Sequence, residues 1–145
     1  MQIKELGHIV FYVTNLQQSV HFYRDILGFR LVAQKHPMAA FSSGRTHHEL
    51  LLIEIGGKKK QKKLESGFYH VGLKIGNSSE DIKKAYNELK QKGVFITGAV
   101  DHGVTHSLYI EDPDGNEIEL YADVSDAWKK NPKAIIGEIK GLKLD

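Results

Sequence analysis

Between Gly7 and Thr14 the chain alternates, with Ile9, Phe11 and Val13 on one side of an extended backbone and His8, Val10 and Tyr12 on the other. A polar pair, Thr14-Asn15, then changes the period. Leu16, Val20, Tyr23 and Leu27 recur at helical spacing, and Gly28 follows as a stop. Strand-like runs come next: "FRLVAQK", "MAAFSS" and "HELLLIEI". The same sentence is then written again. "FYHVGLKI" alternates with His70, Phe68, Gly72 and Lys74 on one side and Val71, Leu73 and Ile75 on the other. Asn77-Ser78-Ser79 forms a polar cap, Ile82, Tyr86 and Leu89 mark a helical face, and Gly93 ends it. "VFITGAV", "THSLYIE" and "NEIELYA" supply three more strands, the last two joined at a turn, Asp112-Pro113-Asp114-Gly115. Each half therefore reads βαβββ, an α+β arrangement built by internal repetition.

The pattern divides the chain into a first module, 1–56, a lysine-rich linker, 57–66, a second module, 67–124, and a tail, 125–145, whose Trp128 and scattered apolar residues suggest that it packs on the body. At 145 residues this is a single domain with enough chain to bury a core. Composition is that of an ordinary globular protein, with 41% hydrophobic and 26% charged residues. The net charge of +2 arises largely in "KKKQKK" at 58–63, a solvated linker and not a nucleic-acid footprint. No run of apolar residues is long enough for a membrane span, and the start is too polar for a signal peptide, so a cytoplasmic location is expected. The lack of cysteine excludes disulfides, thiolate metal sites and a cysteine nucleophile.

Three titratable residues stand out because each interrupts an alternating strand on the side away from its apolar face. His8 and His70 occupy equivalent points of the repeat, and Glu119 lies on the final strand with Glu117 and Tyr121, opposite Ile118 and Leu120. Two imidazoles and one carboxylate form a ligand set that holds Fe(II) and leaves positions open.

The opening "GHIVFYVTNLQQSVHFYRDILGF" and the ending "DPDGNEIELY" resemble the vicinal oxygen chelate superfamily, which includes glyoxalase I, fosfomycin-resistance enzymes, bleomycin-resistance proteins and type I extradiol dioxygenases. The resemblance covers nearly the whole chain. It implies two tandem βαβββ modules whose mixed strands form a curved sheet cleft, and metal ligation by His8, His70 and Glu119. Three features resemble the extradiol (catechol 2,3-) dioxygenases in particular. "HHELLL" at 47–52 looks like their motif with an acid–base histidine beside the metal, which implies that role for His48. "DHGVTHSLYIEDPDGNEIE" resembles the segment whose histidine and tyrosine contact substrate, here His102 and Tyr109. The loop between His102 and Glu119 is slightly shorter than in well-known members, and many of those enzymes carry two such domains.

The implied function is ring cleavage of a catechol-like small molecule at a divalent metal, Fe(II) by preference, with Mn, Ni or Zn as alternatives. Two neutral histidines and one carboxylate suit a chelated catecholate, and a histidine with a pKa of about 6.5 can take and return its proton near neutrality. The alternative is a glyoxalase I-type lyase, lactoylglutathione lyase, which needs a fourth ligand, a glutamate on the last strand of the first module. That position aligns nearest Leu50, so the ligand is missing unless Glu54 or Glu49 replaces it. A further alternative is a metal-free binding module of the bleomycin-resistance kind. The fosfomycin-type transferases share the three ligands. His21, His36, His47 and His106 have no motif support and read as surface or packing residues. Uncovered sheet edges in a unit of this size point to a homodimer, with no nucleic-acid or membrane partner.

Overall fold

A computed structural model describes residues 1–59 and 64–144. The centre of the expected lysine-rich linker, 60–63, lies outside the described residues. By internal contacts the chain divides into two compact units, one of residues 1–63 with 112–115, the other of residues 64–111 with 116–145.

In the first unit, β1 (Ile9–Val13) leads into α1 (Leu16–Val20), and then come β2 (Arg30–Lys35), β3 (Met38–Ser42) and β4 (Leu50–Glu54). The sheet order is β1-β4-β3-β2, with β1 parallel to β4 and the remaining pairs antiparallel. In the second unit β5 (His70–Gly76) leads into α2 (Ser79–Gln91), and β6 (Ile96–Asp101), β7 (Thr105–Glu111) and β8 (Glu117–Asp123) follow. Its order, β5-β8-β7-β6, repeats the first, again with a parallel pair beside antiparallel ones. The βαβββ repetition predicted from periodicity is therefore the architecture. The tail adds α3 (Ala127–Lys130), a 3₁₀ turn (Pro132–Ile136) and β9 (Lys140–Gly141), which pairs with β6. Trp128 remains 41% exposed, and the tail is fastened through β9 and the Leu142 amide bond to Ala99.

The polar caps behave as their chemistry requires. The Asn15 side chain accepts from the Gln18 amide and that of Ser78 from the Asp81 amide, each satisfying an orphan donor of a first turn. Gly28 and Gly93 take φ of 78° and 71°, the left-handed stop that glycine adopts without strain. One departure is α1, which widens into a π-helical stretch over His21–Ile26 before Gly28. Leu16, Val20 and Tyr23 are nevertheless buried as predicted, as are Phe11, Val13, Ile82 and Leu89. Ile75 is not: a register shift between Lys74 and Gly76 on the outer strand β5 leaves it 38% exposed.

The turn Asp112–Gly115 leaves its own hairpin and belongs to the first unit. Asp112 accepts the buried Tyr23 hydroxyl at 2.8 Å, and Asp114 accepts the Thr14 amide at 3.0 Å. Burial first, and the Asp112 charge second, raise the Tyr23 pKa well above its ordinary value. Tyr23→Phe should therefore cost about 1.5–3 kcal/mol, the scale of a buried hydrogen bond to a charged group. Equilibrium urea unfolding measures it. Because the folded-state pKa is raised, this contribution is complete below the ordinary tyrosine value of about 10 and is lost as pH climbs beyond it.

Candidate functional site

Each unit gathers part of the predicted constellation. In the first, His8 sits just before β1, where the Ile9 amide bonds the Glu49 carbonyl at 2.9 Å. His48, expected within a strand, instead precedes β4, and its ring lies 4.7 Å from that of His8. His47 packs on the other side, with ring centroids 4.5 Å apart and the two Nδ1 atoms at 2.6 Å. Partial burial, then repulsion from His47 and His8, lowers the His48 pKa, which favours the neutral imidazole.

The strand β4 settles where its carboxylates go. In a parallel pair, residues opposite one another point to the same side. Leu50 stands opposite Ile9 and is buried, whereas Leu51 stands opposite the exposed Val10, on the side that His8 shares by parity. Within β4 the residue on the His8 side is thus Leu51, one position from the Leu50 expected and not a carboxylate; Glu49, just before the strand, shares that side by the same parity. Glu54 accepts the Leu16 amide at 2.6 Å, at the start of α1. Glu49 accepts the Ser43 amide at 2.9 Å and the Ser43 hydroxyl at 2.8 Å, with Arg45 Nε at 3.5 Å. Both carboxylates are engaged in local structure.

In the second unit, register sets His70 opposite Glu117 and Gly72 opposite Glu119 across β5 and β8, while Tyr109 on β7 stands opposite Glu119. His70 Nε2 lies 3.1 Å from Glu119 Oε2. The other carboxylate oxygen, Oε1, accepts the Ser107 hydroxyl at 2.6 Å and the Tyr109 hydroxyl at 3.3 Å. Tyr109 in turn meets His102 Nε2 at 3.0 Å. Burial, then the Glu119 charge, raises the Tyr109 pKa and keeps its hydroxyl protonated. His70 Nδ1 is buried without a hydrogen bond, and Glu117 Oε1 stands 3.7 Å from it.

The second unit therefore brings together His70, Glu119, Tyr109 and His102, and the first brings His8 to His48. Among the described residues, no three imidazole or carboxylate groups already converge as a ligand cluster. The His70–Glu119 pair nonetheless has the spacing that a cation needs. Two ligand atoms about 2.1 Å from one ion at right angles stand about 3.0 Å apart. Without an ion, the 3.1 Å contact is the distance of a hydrogen bond from Nε2–H; an ion at Nε2 would require the neutral ring to carry its proton on Nδ1 instead.

Sequence reasoning passed over Ser107, Glu117 and His47. Ser107 lies two residues before Tyr109 on one strand, so period-two counting places both on the Glu119 side. Glu117 shares that side by the same rule. Nothing in the sequence marked His47 beyond its adjacency to His48. His21 bonds Asp25 at 2.8 Å on the surface, and His106 meets Ser79 Oγ at 3.0 Å at the start of α2, both in the local roles expected.

Comparison with known proteins decides the family. Residues 5–120 match the model of the Glyoxalase/Bleomycin resistance protein/Dioxygenase superfamily. The chain belongs to this superfamily. Among its relatives in the superfamily, biphenyl-2,3-diol 1,2-dioxygenase 3 of Rhodococcus globerulus is 32% identical over 81% of this chain but only 63% of its own length. A probable lactoylglutathione lyase of Synechocystis is 33% identical over 79% of this chain and 92% of its own. Metallothiol transferase FosB of Staphylococcus haemolyticus is 29% identical over 82% and 84%. A glyoxalase/dioxygenase structure from Nostoc punctiforme shares the fold with a TM-score of 0.69, at 20% identity over 84% of this chain and 92% of that one. Superfamily enzymes use divalent metal ions, and they include dioxygenases, lyases and transferases. No helix among the described residues is long and apolar enough to cross a membrane.

Proposed function

We propose that the protein is an extradiol-type dioxygenase that cleaves a catechol-like ring, with His8, His70 and Glu119 as ligands of Fe(II). The observation that supports it best is the fate of the carboxylates on β4. The lyase reading requires a fourth ligand there; β4 offers Leu51 on the His8 side, Glu49 on that side is engaged by Ser43 and Arg45, and Glu54 accepts the Leu16 amide. Bound to the three ligands, the ion would act as a Lewis acid toward two vicinal oxygens and bring dioxygen beside them. The chain's own groups divide the remaining work. His48 takes the second phenolic proton and returns it later in the cycle. Tyr109 donates a hydrogen bond to a substrate oxygen, and His102 steadies Tyr109 through the shared hydroxyl. Val10, Tyr12 and Leu51 supply apolar surface beside His8.

His8 belongs to one unit and His70 and Glu119 to the other, so the centre needs both modules, drawn from one chain or from two. A homodimer is the expected state. β1 is an outer strand whose Val10 and Tyr12 are 43% and 67% exposed, and β5 is an outer strand preceded by the exposed Phe68 and Tyr69. Sedimentation equilibrium at micromolar concentration should return the mass of two chains; a single-chain mass throughout would refute this. The activity itself is tested by oxygen uptake after anaerobic loading with Fe(II), using a series of simple catechols. Oxygen consumption with accumulation of a ring-opened product is expected. Isomerisation of a methylglyoxal–thiol adduct by Ni(II)-loaded protein, with no oxygen uptake, would overturn it.

A further inference from the structure

Glu119 is held more firmly than ligation alone demands. Its two oxygens have separate partners: Oε2 faces His70 Nε2 at 3.1 Å, while Oε1 carries hydrogen bonds from Ser107 at 2.6 Å and Tyr109 at 3.3 Å. The two hydroxyls differ. Ser107 is fully buried, has a side chain of one rotatable bond, and makes the shorter contact. Tyr109 sits within 3.0 Å of His102 as well, and its bond to Glu119 is the longer one. Tyr109 can thus turn toward a substrate while Ser107 keeps its grip.

We propose that Ser107 is a positioning residue for the metal centre: its hydroxyl occupies Oε1 of Glu119, so that the carboxylate offers a cation Oε2 alone. The inference rests on the assignment of Glu119 as a ligand. Its chemical consequence concerns the number of free positions. A carboxylate that chelates through both oxygens takes two places on an octahedral ion. One held to a single oxygen takes one, and with two histidines leaves three of six for a vicinal-dioxygen substrate and a third molecule. A serine hydroxyl suits this task because it is neutral and donates without adding charge to the ligand set. Ligand orientation by such outer contacts commonly governs metal affinity as well.

The test uses full-length protein loaded anaerobically with Co(II), with affinity read by chelator competition and coordination by the visible spectrum. Ser107→Ala and Ser107→Val should each weaken Co(II) by about 10–100-fold. Both should alter the spectrum, because the carboxylate, released by Ser107, no longer holds one fixed orientation toward the ion. Ser107→Thr, which restores the hydroxyl at the bulk of valine, should recover affinity and spectrum. Thermal unfolding verifies that all three remain folded. Alanine and valine variants that bind Co(II) as the wild type does, with an unchanged spectrum, would overturn the clamp while leaving the centre intact, provided that Glu119→Ala loses the metal. Equal losses in alanine, valine and threonine would overturn it too, because space and not the hydroxyl would then matter. If Glu119→Ala holds Co(II) as tightly as the wild type, the ligand assignment itself falls and the clamp with it.

Discussion

Replacing His70 or Glu119 by alanine should reduce bound metal from about one ion per chain to a small fraction, in a protein that stays folded. Neither side chain belongs to the apolar core, and both stand on the polar side of their strands. Glu119→Ala leaves the buried Ser107 hydroxyl without its acceptor, a cost of about 1–3 kcal/mol that a domain of this size can absorb. His8→Ala should lose the metal equally, although His8 lies in the other unit. Metal content of anaerobically purified variants measures all three. A His8 variant with full metal beside empty His70 and Glu119 variants would remove His8 from the ligand set. Mixing His8→Ala with Glu119→Ala chains adds a further outcome. If centres form between two chains, a random mixture of dimers should recover about a quarter of the sites, and none if each chain builds its own.

The second large effect is expected at His48. Its replacement by phenylalanine should leave metal content unchanged and lower catechol turnover by about 10² or more, the scale of a lost general acid–base group. The carboxylates of β4 give the contrast. Glu54→Gln should loosen the start of α1, where Glu54 accepts the Leu16 amide, and cost about 1 kcal/mol of stability with metal retained. A lyase built on Glu49 or Glu54 would show the reverse: loss of metal with the carboxylate and indifference to His48. Metal analysis and steady-state oxygen uptake, run side by side, separate the two.

The repeat was legible because two periodicities, each bounded by caps at Asn15 and Ser78 and stops at Gly28 and Gly93, agree with one another along the chain. Where reading failed, the missing information was three-dimensional. Ile75 obeys the alternation in sequence, but a register shift on an outer strand turns it toward solvent. Leu50 and Leu51 are indistinguishable as letters, and only pairing with β1 tells which one shares the His8 side. Ser107 is an ordinary strand serine until Glu119 is placed across from Tyr109. Asp112 and Asp114 looked like local turn formers. Asp112 does bond the Asp114 amide at 2.9 Å, but their other partners, Tyr23 and Thr14, are 89 and 100 positions away.

That turn also bears on how a doubled chain can change over time. Two copies of one module suggest halves that could be separated, shuffled or lost independently. Here a piece of the later copy, Asp112–Gly115, has become part of the body of the earlier one. A first half cut free at 57–66 would keep the Tyr23 hydroxyl and the Thr14 amide and lose the acceptors of both. The duplicates are no longer interchangeable parts. A change at Tyr23 leaves Asp112 without that donor, and a change at Asp112 leaves the buried Tyr23 hydroxyl without its acceptor.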